Sequence, residues 1–335
     1  MAGRIDYESM EENIKIDVKD KRILSLLAEN ARTPLTAIAK KVQLSRDAVD
    51  YRIKRLQKDG VIQRFFASVN YEKLGYYVFH VFYLLDEVNK EQYRQLMEHL
   101  KKHPNIISII EYNDRWDIHV EMIARNLIEF DIILSEIASK YPDTIVEKDK
   151  AEIIRSYSNN FVPPLIAGQE SIKIVQKQPV PVKVDDTDLK LLRLLCEDCR
   201  ASTYQLAQQL HISPDTVGYR IQNLLKEEVI TKFTIQVNYS KMKYILYTFS
   251  IGMKMFDLAN EQKFKSFLDK NLNILKSTKT LGGWDLLLYI VVQHPREYHA
   301  LVKDMKATFT NIIRSYQTWI AYKEYIYEPL PAVIK

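Results

Sequence analysis

Three side chains of this sequence alternate in a way that could support metal binding or acid–base chemistry. Asp117, His119 and Glu121 follow one another at every second position of a predicted strand, so they share one face of it. On an extended strand neighbouring members of the set lie about 7 Å apart and the outer two about 13 Å apart, which is too far for a compact ligand set. We therefore expect no metal here, and interpret this face as hydrated or as lining an interface.

A second pattern, Cys196-x-x-Cys199, has the spacing of a zinc half-site. No second Cys/His pair stands near it, and His211 is the one stray candidate. Alanines occupy the matching positions of an earlier repeat, so we interpret both thiols as structural. With only two cysteines in the chain, and neither a disulfide framework nor a secretory leader in MAGRIDYESMEENIK, we expect a reducing, cytoplasmic location.

A third chemistry, the recognition of DNA, is indicated by SRDAVDYRIKRLQKDGVI at 45–62. Val49, Ile53 and Leu56 form one apolar helix face, Ser45 is a good N-cap, and Gly60 can end the helix. The other face is basic and carries an aromatic ring, as a groove-reading helix requires. The predicted DNA-binding residues here are Ser45, Arg46, Asp50, Tyr51, Arg52, Lys54, Arg55 and Lys58.

Two shorter helical patterns and a tight turn precede this helix, and apolar pairs follow it. Residues 16–71 are thus predicted to form a helix-turn-helix unit with short strands, the winged variant. The alternative is a solvated helix that is basic only for solubility. The three-helix setting favours DNA binding.

The whole pattern recurs at an offset of 168 residues without net insertion, pairing Asp17 with Asp185 and Trp116 with Trp284. A module of about 149 residues is therefore duplicated. The predicted domains are an N-terminal tail (1–15), winged helix-turn-helix 1 (16–71), sheet domain 1 (72–163), a linker (164–183), winged helix-turn-helix 2 (184–239) and sheet domain 2 (240–335).

Charge distinguishes the two copies. Residues 15–71 hold 13 Lys/Arg against 6 Asp/Glu, a net charge of +7, whereas residues 183–239 hold 7 against 8, a net charge of −1. Non-specific DNA affinity comes mainly from phosphate neutralisation, so the first unit should dominate it. The second unit's predicted DNA-binding residues are Tyr219, Arg220, Gln222 and Asn223.

The second part of each module reads as strand, helix, strand, strand, helix, strand, the ferredoxin-like βαββαβ order. The fold class is thus α+β, a tandem duplication of winged helix-turn-helix and sheet domain. Such a sheet carries helices on one face only, so another copy should cover the rest, within the chain or between chains. Apolar runs are far shorter than the roughly 20 residues of a membrane span, so we expect no membrane association.

In these features the sequence resembles the Lrp/AsnC family of transcription regulators over nearly all of both repeats. The resemblance rests on Ser45-x-x-Ala-Val-x-Tyr-Arg-Ile-x-x-Leu, Gly60-Val-Ile, Asn70, Lys73-Leu-Gly-Tyr and Gly282-x-x-Asp285. It implies double-stranded DNA as a partner, self-association through the sheet (RAM) domains, and response to a small molecule such as an amino acid. A family member usually has one module per chain, and this chain has two.

The resemblance also places the effector near one turn, which assigns Gly282, Gly283, Trp284 and Asp285 as ligand-binding residues. The first copy has lost the glycine, so the two turns need not bind one ligand. A plain hairpin turn is the structural alternative. No cofactor or catalytic residue is predicted.

Two other functions remain open from the sequence. Sirohaem decarboxylases resemble this family in fold and place histidines in the sheet-domain cleft, where His80 and His119 would serve, although no linked acid/base pair or cofactor motif is evident. In the other alternative, the second helix-turn-helix contacts protein instead of DNA. Tetrapyrrole absorbance distinguishes the enzyme from the regulator.

Overall fold

The computed structural model describes residues 5–6, 14–86, 89–163, 166 and 180–335. Most of the predicted N-terminal tail (1–15) and linker (164–183) lies outside these residues. The division of the chain into the six predicted domains stays a prediction.

Two copies of one α+β module follow each other, in the βαββαβ order expected of each sheet domain, so the predicted fold class is confirmed. The first copy comprises β1 (Ile5–Asp6), α1 (Val18–Glu29), α2 (Leu35–Val42), α3 (Arg46–Lys58), β2 (Ile62–Val69), β3 (Tyr77–Leu85), α4 (Lys90–Lys102), β4 (Ile106–Tyr112), β5 (Ile118–Ala124), α5 (Leu127–Lys140) and β6 (Ile145–Asn159). The second comprises α6 (Asp186–Glu197), α7 (Thr203–Leu210), α8 (Pro214–Lys226), β7 (Ile230–Val237), β8 (Ile245–Met253), α9 (Leu258–Lys270), β9 (Ile274–Gly282), β10 (Leu286–Val292), α10 (Pro295–Thr308) and β11 (Ile313–Tyr327).

Local sequence explains where the helix-turn-helix elements begin and turn. Ser45 caps α3 by accepting a hydrogen bond from the Ala48 amide, and Ser213 caps α8 in the same way. Gln43 and His211 adopt the left-handed conformation that turns the chain from the second helix into the third. The two recognition helices therefore start with the same geometry.

The strand that follows each recognition helix pairs with its counterpart in the other copy. β2 and β7 form a two-stranded antiparallel sheet in which Phe65 lies opposite Ile235. Two arginines reinforce this junction: Arg32 donates to the Cys199 carbonyl, and Arg200 donates to the Ala31 carbonyl at 2.7 Å. The two helix-turn-helix units are thus joined into one body with approximate two-fold symmetry.

The eight longer sheet strands close into a ring. Around it the order is β11, β4, β5, β3, β6, β9, β10, β8, after which β8 pairs with β11 again. β6, the last strand of the first copy, bridges its own β3 to β9 of the second, and β11 bridges β8 to β4. The two sheet domains therefore pair within one chain, an arrangement that sequence reasoning left open.

Helices α4 and α5 pack outside the first half of the ring, and α9 and α10 outside the second, each pair over its own apolar layer. The interior of the ring holds all three tryptophans of the chain around Phe82, whose ring centroid lies 5.0 Å from that of Trp284 and 5.2 Å from that of Trp319. No helix in the described part of the chain is long and apolar enough to cross a membrane.

The Gly282→Ala substitution should strain the junction between the two halves of the ring. A Cβ atom at Gly282 would lie 2.3 Å from the Lys150 carbonyl oxygen of β6, a backbone group that cannot rotate away. We expect the free energy of unfolding to fall by about 1–3 kcal/mol in urea titrations.

Gly218→Ala is the matched control, because a Cβ at this position in α8 meets nothing within 4 Å. Alanine is the better helix former, so this variant should gain up to about 1 kcal/mol. Equal changes in the two variants would contradict the assigned β6–β9 contact.

Candidate nucleic-acid interface and internal cavity

The outer face of α3 carries the exposed basic and aromatic side chains that the sequence predicted. Arg46, Tyr51, Lys54 and Lys58 are exposed, Tyr51 by 68%. Among the described residues, the half-buried Asp50 is the ion-pair partner of Lys54, at 2.6 Å. An exposed ion pair of this kind is worth little, so Lys54 can exchange it for a phosphate.

Two of the predicted DNA-binding arginines form ion pairs within the first helix-turn-helix unit. The Asp20 side chain on α1 is 1% exposed and receives Arg52 at 2.8 Å and Arg55 at 2.5 Å. Arg52 also binds Asp17, and these hydrogen bonds raise the pKa of its guanidinium. This network ties the recognition helix to α1, so Arg52 and Arg55 have a structural role whatever their part in DNA binding.

Sequence reasoning missed Asp20, although a signal was present. The acid and its arginine recur together at the repeat offset as Asp188 and Arg220, which form an ion pair at 2.8 Å. Arg55 has no such counterpart, because Asn223 stands there. In the second unit Tyr219 is 71% exposed, and Gln222 and Asn223 are exposed amides.

The turn assigned to the effector has its own structural explanation. Trp284 is buried at 6% exposure, and Asp285 accepts a hydrogen bond from the Met253 amide at 2.6 Å. Asp117 accepts from the Leu85 amide at 2.5 Å in the first copy. Gly283 lies where a Cβ would meet the Asp149 carboxylate at 2.6 Å. Ligand binding by Gly282, Gly283, Trp284 and Asp285 stays a prediction.

The candidate metal-ligand patterns do not come together as a cluster. Cys196 and Cys199 are both buried, and burial raises the pKa of the Cys199 thiol to about 12. In the described ranges, no group of three or more His, Cys, Asp or Glu side chains is placed to hold a metal ion.

A cavity of about 580 Å³ enters the ring from the side of the helix-turn-helix units. His80, Glu121, Lys276 and Tyr289 line its inner part. His80 Nδ1 lies 2.6 Å from His119 Nε2, and both imidazoles are buried. Burial lowers the pKa of His80 to about 4 and that of His119 well below its ordinary value, so the pair shares one neutral N–H···N hydrogen bond.

Comparisons with known proteins agree with this geometry. The family model for the AsnC-type helix-turn-helix domain matches the chain twice, at residues 16–57 and 184–225. The HTH-type transcriptional regulator FL11 of Pyrococcus furiosus is 32% identical over 124 residues, which cover 37% of this chain and 81% of that protein. The chain belongs to the Lrp/AsnC family.

The HTH-type transcriptional regulator LrpA of Pyrococcus horikoshii shares 48% identity with this family member over 61 residues, covering 18% of this chain and 43% of LrpA. Among solved structures, the siroheme decarboxylase NirDL superposes with a TM-score of 0.63 and 12% identity, covering 95% of this chain and 97% of that one. At this identity the likeness shows a shared fold and nothing about activity.

The Asp20→Asn substitution should destabilise the first helix-turn-helix unit strongly. It leaves the positive charges of Arg52 and Arg55 without their buried counter-charge, and breaking a buried ion pair from one side costs about 3–5 kcal/mol. Asp188→Asn is the matched control, since Asp188 is 14% exposed and binds one arginine. Chemical unfolding should show the smaller loss for Asp188→Asn, and the reverse order would refute the assigned role of Asp20.

The buried histidine pair should make stability depend on pH. Below pH 6.5 the histidines bind protons in the unfolded chain but stay neutral in the folded protein down to about pH 4, so the pair's contribution to the free energy of unfolding falls as the pH drops through this window. His80→Gln should flatten that slope, by up to about 1.4 kcal/mol per pH unit for one proton. The exposed His299, replaced in His299→Gln, is the control and should leave the slope unchanged. An unaltered slope for His80→Gln would contradict the neutral pair.

Proposed function

We propose that this protein is a sequence-specific DNA-binding transcriptional regulator that presents two unequal DNA-binding heads on one chain. The observation that carries the proposal is the exposed basic face of α3 within an AsnC-type helix-turn-helix unit. The regulator names of the single-module relatives support it. We infer binding and not catalysis, because the two relatives compared above by sequence are both named transcriptional regulators.

The two heads differ in charge at equivalent exposed positions. Arg46 and Lys54 of the first correspond to Pro214 and Gln222 of the second, while both copies keep a lysine at the helix end. The sheet formed by β2 and β7 holds the heads together. We infer an asymmetric operator whose half-sites lie about one helical turn apart, with the second head either reading bases or contacting protein.

We further propose that a small molecule regulates DNA binding and that copies of the chain associate. The two sheet domains pair with each other within the chain, so each already has a copy that covers its sheet. Any association between chains would therefore use other surfaces. The turn at Gly282–Asp285 remains one candidate for the effector contact.

A tetrapyrrole-modifying enzyme is the second candidate, favoured by the histidine pair in the cavity and by the fold shared with NirDL, which was also solved with an iron-uroporphyrin III analogue. Uroporphyrins carry eight carboxylates, so a site that binds one needs many positively charged side chains in its wall. Among the described residues the cavity is lined by Lys276 and Arg155 against three glutamates, and Arg155 is bound to Glu261 at 2.6 Å. These residues do not fit a polycarboxylate, so we favour the regulator.

Lys54→Gln, which copies Gln222 of the second head, should weaken DNA binding and lower the salt slope of log K by about 1, because one phosphate contact is lost. The reciprocal substitution, Gln222→Lys, should raise both the DNA affinity and the salt slope of log K. Mobility-shift titrations at several salt concentrations measure the two effects. Arg55→Ala should weaken binding too, but it also removes a partner of Asp20, so Lys54 gives the cleaner test.

Lys303→Gln on α10 is the control, with the same charge change on an exposed lysine far from the recognition helix in sequence. If Lys303→Gln and Lys54→Gln lower the affinity equally, the assignment of α3 is wrong. A tetrapyrrole absorbance band in the purified protein, without a salt-sensitive DNA shift, would favour the enzyme.

A further inference from the structure

We propose that the cavity of the ring binds one small aliphatic molecule with two or more ammonium groups, a diamine or polyamine. The cavity extends from the histidine pair inside the ring to the ends of β2 and β6, and its volume of about 580 Å³ suits a small ligand. The proposal concerns binding alone and does not depend on the proposed function.

The three glutamates of the cavity wall form no ion pair within the described residues, although Lys276 and Arg155 line the same cavity. Glu72 and Glu152 stand near its outer part and Glu121 farther inside. Burial raises the pKa of Glu72, and the nearby Glu152 raises it further. Burial likewise raises the pKa of Glu152. A bound cation would relieve this repulsion, and two separate carboxylate positions favour a ligand with cations at both ends.

One ring nitrogen of a buried histidine at the inner end of the cavity also lacks a hydrogen-bond partner within the described residues. His80 is 2% exposed, its Nδ1 faces His119, and its Nε2 has no hydrogen-bond partner among the described residues. A buried polar atom left in this state costs about 1–3 kcal/mol. When His80 Nδ1 carries the shared proton, Nε2 is an acceptor for an ammonium N–H. The tautomer of the pair can therefore adjust to a donor.

The cavity already holds one ammonium group. Lys276 Nζ lies 5.1 Å from the ring centroid of Phe161 and 5.9 Å from that of Tyr289. Aromatic faces at this distance attract a cation. Lys276 makes no ion pair within the described residues. Burial raises the pKa of the Glu324 carboxyl to about 7, and the charge of Lys276 opposes that rise. Aromatic faces and carboxyl groups therefore both act on an ammonium here. A ligand ammonium would meet the same walls and, in addition, carboxylates that form no ion pair within the described residues.

The site exists once per chain, because the pseudo-symmetric positions differ in chemistry. At the repeat offset, Glu121, His80 and Glu152 correspond to Tyr289, Thr248 and Ile320. The counterpart of the cavity thus lacks all three groups. We therefore expect one ligand per chain.

The outer part of the cavity lies against the sheet that joins the two helix-turn-helix units. The lining includes Ser68 and Val69 at the end of β2, together with Thr231 of β7 and Pro181 ahead of α6. Val182 next to it donates to the Lys73 carbonyl at 2.8 Å. A ligand therefore touches the sheet that joins the heads.

The test is isothermal titration calorimetry of the full chain without DNA. Putrescine and spermidine are the probes, and butylamine and glutarate are the comparators with one ammonium and with two carboxylates. We expect one putrescine or spermidine per chain, bound at least about tenfold more tightly than butylamine, and no glutarate binding. Equal affinity for butylamine, binding of glutarate, or no saturable binding of either polyamine would overturn the proposal.

Glu121→Gln and Glu152→Gln should each weaken putrescine binding about tenfold, since each removes a counter-charge with little change of shape. Glu147→Gln is the matched control on β6, because the Glu147 carboxylate is half exposed and pairs with Arg115 outside the cavity. A loss as large in Glu147→Gln would overturn the site. The amine series on the unaltered protein does not depend on any variant folding.

Mobility shifts run in parallel separate the two proposals. If the protein binds DNA but no polyamine, the proposed cavity site is wrong and the proposed regulator function is supported. If the protein binds polyamine but does not shift DNA, the proposed site is supported and the proposed regulator function is wrong.

Discussion

The pairing of each terminal strand with the opposite copy is the constraint on which the rest of the structure depends. β6 and β11 each have one partner in their own sheet and one in the other. A sheet that ends at β6 would expose unpaired backbone groups and an uncovered apolar face. Closing the ring removes both problems at once, and it forces the two copies into one body with Phe82 and three tryptophans at its centre.

Closure also explains why two surfaces could diverge on one scaffold. In a symmetric pair of identical chains, a change on one recognition helix appears on both. Here the buried stripes at Val49 and Val217 are both kept, while the outer positions differ in charge. The same freedom applies inside the ring, where His80 and Glu121 have no chemical equivalents in the second copy. The covalent pair thus permits unequal heads and a single internal site.

Most helices and strands were predicted to within a few residues, because their apolar periodicity and caps are local signals. The exception is the segment after α3, where short strands were expected and one continuous strand, β2, is found. The candidate site was predicted less completely. Helical geometry places Arg55 on the outer face and Arg52 beside it, yet both bind Asp20, which is 32 residues from Arg52 and 35 from Arg55 in sequence. Helical periodicity predicts the face on which a side chain lies, but it does not predict which distant residue that side chain contacts. The cavity was missed for the same reason, since β3, β5, β6, β9 and β10 all contribute to it.

The sequence by itself determined the duplicated α+β module, the positions of the recognition helices and the charge difference between them, because these follow from residue order and spacing. Only the tertiary structure decided that the two sheets join within one chain, that two arginines of α3 serve its own fold, and that carboxylates and a histidine converge on a cavity. Those outcomes depend on contacts between residues far apart in the chain, whose free energies no local pattern encodes.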